Sequence, residues 1–113
     1  NADRYGPTAR VEELDWAASA RAQELAARRF DLVLGADVTY DRRSIPDLLR
    51  CISLLLAPCS GSACLLALSF PRFADREEEV RTAAERCGVG VEVVRTAEHV
   101  RILRCRRRQH AGA

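Results

Sequence analysis

Residues Phe30–Asp41 read FDLVLGADVTYD, an apolar run that stops abruptly at Asp37, Tyr40 and Asp41. Leu32, Val33 and Leu34 stand in a row, and a continuous apolar run of this length bounded by acids is expected to be a strand buried on both faces. Its end has two readings. Asp after a strand is a common turn residue or helix N-cap, and Tyr40 could be a core tyrosine with a satisfied hydroxyl. Alternatively, the chain sets acidic and aromatic groups at a working site.

Downstream, the pattern changes period. Ile45, Leu48, Leu49, Ile52, Leu55 and Leu56 recur at helical spacing, which predicts an amphipathic helix ending near Pro58. Ser44 is the expected N-cap, Pro46 falls in the tolerant first turn, and Asp47 favours the helix dipole. Ala63–Phe70 (ACLLALSF) is a second buried-strand candidate, and Asp75–Cys87 reads as a helix stopped by Gly88 and Gly90. Val89–Arg95 and His99–Cys105 alternate and are joined by Thr96-Ala97-Glu98, which predicts a hairpin.

Upstream, Ala17–Arg29 is rich in Ala, Glu, Gln and Arg and reads as a helix with a thin apolar stripe. Ala9–Leu14 (ARVEEL) is expected to be a short strand closed by Asp15-Trp16. The order is strand, helix, strand, helix, strand, helix, strand, strand. Such alternation implies an α/β fold, a mostly parallel sheet with helices on its faces, finished by an antiparallel hairpin.

The chain has 113 residues, 48% hydrophobic and 30% charged, which is the profile of one globular domain rather than a disordered chain. All eighteen basic residues are Arg, and there is no Met, so the chain is expected to be a piece of something longer. The five cysteines have no C-x-x-C spacing and read as small buried hydrophobes in a reducing compartment, not as a zinc site. No apolar run is long enough for a membrane span, and a cytoplasmic or nuclear location is expected.

Ligands of open α/β sheets bind outside the carboxyl ends of the strands. Three expected strands end in Asp15-Trp16, in Asp37 to Asp41, and in Ser69-Phe70-Pro71-Arg72. Parallel neighbours would bring these groups to one acidic, aromatic rim suited to a cation. Such a rim repels phosphates, so nucleic acid is not the expected partner, although Arg101, Arg104, Arg106, Arg107 and Arg108 crowd the C-terminus. That cluster reads as a solvated edge strand with a basic tail. His99 and His110 stand alone, and the chain holds neither G-x-G-x-x-G nor a P-loop.

VEELDW (Val11–Trp16), FDLVLGADVTYD (Phe30–Asp41) and LLRCISLLLAP (Leu48–Pro58) together resemble the family 16 methyltransferases, the methyltransferase-like protein-lysine methyltransferases. Leu14-Asp15-Trp16 matches the L-x-W element of that family, and Asp37-Val38-Thr39-Tyr40 matches its D-x-x-Y element. The resemblance implies a Rossmann-like seven-strand fold, S-adenosylmethionine as cofactor, and a protein substrate methylated on lysine, here expected to be non-histone. It implies that Asp15 and Trp16 lie beside the adenine, that Ala36 and Asp37 close the far side of the cofactor pocket, and that Asp37 and Tyr40 face the substrate amine. Arg72 falls where the family often has an arginine. The family's Gly-rich loop and its ribose-binding acid are not in this sequence, so residues 1–113 are expected to form the C-terminal two-thirds of the catalytic domain, with the isolated piece inactive. A non-catalytic interaction module of the same fold is the alternative.

Overall fold

The computed structural model describes residues 9–39, 41–69, 71–72 and 74–108. Its central helix forms where the apolar spacing demands. Helix α2 (Ile45–Leu56) buries all six of the expected residues, together with Cys51 and Ser53. Its entry differs from the expectation at Ser44. A one-turn 3-10 segment (Arg42–Ser44) precedes α2 and is capped by Asp41, whose Oδ1 accepts from the Arg43 N–H at 3.0 Å. The Ser44 hydroxyl donates to Asp41 Oδ2 at 3.1 Å and makes no cap of its own, because the extended Asp41 already occupies the capping position.

Helix α1 (Ser19–Ala26) buries Ala22, Leu25 and Ala26 against α2 residues Cys51 and Leu55. It stops short of the expected Arg29, which takes a left-handed φ of 59° and so turns the chain out of the helix. Helix α3 (Arg76–Arg86) inserts Val80, Ala83 and Ala84 into the core and carries Glu77, Glu78 and Glu79 in its first turn, favourable for the dipole. Gly88, at φ 72°, reverses the chain into the sheet.

Four strands form the sheet in the order β1-β2-β4-β3: β1 (Leu32–Ala36), β2 (Ala63–Ser69), β3 (Val89–Thr96) and β4 (Val100–Arg107). Strand β1 runs parallel to β2, with Leu34 opposite Leu65 and Ala36 opposite Ala67. Strand β4 is antiparallel to both β2 and β3. The mixed α/β fold, the parallel pair and the closing hairpin are as expected. The described sheet has four strands rather than seven, and antiparallel pairing makes up two of its three ladders. Strand β4 lies inside the sheet and β3 at its edge, which corrects the reading of the Arg-rich end as an edge strand. The hairpin folds its last strand back between β2 and β3.

Ala9–Leu14 forms no strand. Its Glu12 carboxylate accepts from Arg28 at 2.5 and 2.9 Å and from Arg21 at 3.4 Å, so ion pairs rather than a ladder hold this segment near α1. The Arg28 hydrogen bond keeps the Glu12 carboxyl below the ordinary carboxylate range.

The main core lies between one sheet face and helices α2 and α3. Cys64, Leu66 and Leu68 of β2 alternate inward, as do Leu103 and Cys105 of β4. Each fully buried Leu contributes about 1.5–3 kcal/mol. The opposite sheet face is different. Leu32 and Leu34 are 52% and 70% exposed, so β1 is not buried on both faces. Nothing among the described residues covers that face, and an apolar hollow of about 400 Å3 lies there between Leu34, Ala36, Leu65, Ala67 and Ile102. No helix among the described residues is long and apolar enough to cross a membrane.

Candidate functional site at the ends of the parallel strands

Parallel pairing brings the carboxyl ends of β1 and β2 side by side. Asp37 follows β1 with φ 55°, a left-handed conformation that Asp tolerates better than most residues. Its N–H donates to the Ala67 carbonyl at 2.9 Å, extending the ladder by one bond. Its side chain turns to the neighbouring strand. Asp37 Oδ1 accepts from the Ser69 hydroxyl at 2.8 Å and from the Ser69 N–H at 3.2 Å. The carboxylate is exposed but held, with backbone and side chain both fastened to β2.

Gly35 lets β1 lie close on the core: a Cβ there would stand 2.9 Å from Leu66 Cδ2 and 3.2 Å from Val38 Cγ2, so a larger residue would make those two side chains shift. Val38 packs against the main core. Thr39 is fully buried, and its hydroxyl has no hydrogen-bond partner among the described residues.

Of the expected site residues, Asp37 and Ala36 stand together at the end of β1, with Ala36 exposed beside the apolar hollow. Tyr40 lies outside the described residues. Asp15 is exposed, and its Oδ1 accepts from the Ala17 N–H at 3.0 Å, starting the turn into α1. Trp16 is half-buried and touches both apolar clusters, so it serves the core while part of its ring stays open. Of the three expected parts of the rim, Asp37 and Ser69 are joined directly across the parallel strands, while Asp15 and Trp16 stand at the entry to α1. Ser69 stood on the expected rim without a role; its signal was a polar group closing an apolar strand.

The Arg-rich end is engaged structurally. Arg107 donates to the carbonyl and hydroxyl of Ser53 at 3.1 and 2.9 Å, Arg104 pairs with Glu92, and Arg101 reaches Glu77 at 3.0 Å. No cluster of three or more His, Cys, Asp or Glu able to hold a metal occurs among the described residues. Burial raises the thiol of Cys64 to about 12 and that of Cys105 to about 11, so neither is a nucleophile at neutral pH.

The chemistry of two residues suits S-adenosylmethionine: the half-buried Trp16 has an indole on which a purine can stack, and the exposed Ala36 is a small group beside apolar space.

The held carboxylate at the carboxyl end of the parallel pair stands where ligands of open α/β sheets bind. The family model described as lysine methyltransferase matches residues 1–79, and the chain belongs to that methyltransferase family. No curated protein matches it.

Proposed function

We propose that the chain is the substrate-facing part of an S-adenosylmethionine-dependent methyltransferase that acts on lysine side chains of a non-histone protein. The observation that carries this reading is the Asp37 carboxylate, exposed and oriented at the strand end by Ser69. Family membership supports methyl transfer in general.

The cofactor supplies an electrophilic methyl group on a sulfonium. The remaining work belongs to the protein and is mostly alignment, which can lower a barrier by several kcal/mol. Asp37 attracts the lysine ammonium and orients the amine. The proton leaves to water or a neighbouring group before the nitrogen lone pair can attack. The D-x-x-Y match gives Tyr40, which lies outside the described residues, the role of walling the amine's channel. Asp15 and Trp16 border the adenine, and Ala36 closes the far side of the cofactor pocket.

The test is methyl transfer by the full-length gene product to a degenerate peptide pool with Lys fixed at its centre. Asp37→Ala is expected to lower kcat/KM about a hundredfold, and Tyr40→Phe about tenfold. Rates unchanged in both variants would show the assignment to be wrong.

A further inference from the structure

Both hydrogens that Ser69 gives to Asp37 go to the same oxygen, Oδ1, at 2.8 and 3.2 Å. A carboxylate oxygen has two lone-pair directions, so two donors fill it. No other side chain among the described residues donates to this carboxylate. Its backbone N–H is tied to Ala67, so backbone and side chain are both anchored on β2.

We propose that Ser69 is a positioning residue for the substrate subsite: by filling Asp37 Oδ1 it fixes the carboxylate plane and presents Oδ2 alone to the incoming group. This rests on the reading of Asp37 as the substrate-facing carboxylate. The chemical consequence is selectivity. A guanidinium binds a carboxylate best as a fork, with parallel bonds to both oxygens. An ammonium is a compact point charge that one oxygen can hold. A carboxylate with one filled oxygen therefore favours a primary amine over a guanidinium, and Ser69 is what fills it.

The hydroxyl is isolated by comparing Ser69→Thr with Ser69→Val, two side chains of one shape that differ in the hydroxyl. Both retain the backbone N–H. In the full-length gene product, acting on the Lys-centred pool, Ser69→Thr is expected to stay within about twofold of the parent in kcat/KM, and Ser69→Val to fall about tenfold. A matched pool with Arg at its centre is expected to inhibit the Val variant several-fold more strongly than the parent. In an Asp37→Ala background, Ser69→Val is expected to change nothing further, since the group it positions is gone. Should the Val variant not fold, Ser69→Ala makes the same comparison.

The outcomes separate the two claims. If Asp37→Ala alone has no effect, or the parent methylates neither pool, both the site reading and the role of Ser69 fall. If Asp37→Ala is crippled while Ser69→Val matches the parent, or its loss persists in the Asp37→Ala background, Ser69 is only a strand staple and the site reading stands.

Discussion

Thr39 is a fully buried hydroxyl beside the site, without a partner among the described residues. Burying such a group unsatisfied costs about 1–3 kcal/mol. Thr39→Val keeps the shape and removes the hydroxyl, so it should stabilise the fold by about 1 kcal/mol. A urea midpoint that falls instead would reveal a partner for the hydroxyl. Asp37 adds a strain of its own. A left-handed non-glycine residue costs about 1–2 kcal/mol and persists where its surroundings hold it, here through one backbone bond and two from Ser69. At this scale Asp37 was legible, since an acid ending an apolar run is visible in the letters. Its link to Ser69 was not, because the two lie 32 positions apart and only the parallel register makes them neighbours.

Among the elements, α2 was the most legible, because six apolar residues at helical spacing have one stable solution. Its energetics follow the same face. Leu49, fully buried, should lose about 2–5 kcal/mol on replacement by Ala, while the half-buried Leu54 should lose less than about 1 kcal/mol. Equilibrium urea unfolding of the two variants checks the contrast, and equal losses would mean that α2 packs through a different face. Strand β1 was legible as a strand but not in its burial. Three apolar residues in a row read alike whether one face or two are covered. Ala9–Leu14, expected as a short strand, joins no ladder among the described residues, and its Glu12 carboxylate pairs with Arg21 and Arg28.

Across the whole molecule, Cys64 and Cys105 lie opposite each other on β2 and β4 in the covered core. Burial raises both thiols above the ordinary value of 9.0, to about 12 and about 11. The unfolded chain therefore loses these protons first as pH rises. Their contribution to stability is complete below about pH 9 and is lost progressively as pH climbs towards the folded values. Urea midpoints should be flat near neutrality and fall by about pH 10, and replacing both cysteines by Ala should flatten the fall. An unchanged slope would mean that other groups govern the alkaline limb. The overall α/β plan was legible from the alternation of strands and helices. The inward placement of β4 was not, because strand order within a sheet leaves no trace in local spacing.

That placement governs when the molecule can come together. Strand β4 is synthesised last of the four, yet it joins β2 to β3. Until it emerges from the ribosome, β3 has no ladder, and β2 pairs on one side only. Helices α2 and α3 can form early from local contacts, but the sheet they rest on is finished by the final strand. A chain stalled before Val100 would therefore hold a nascent core with β2 unpaired along one edge, the state in which a growing chain most needs a chaperone.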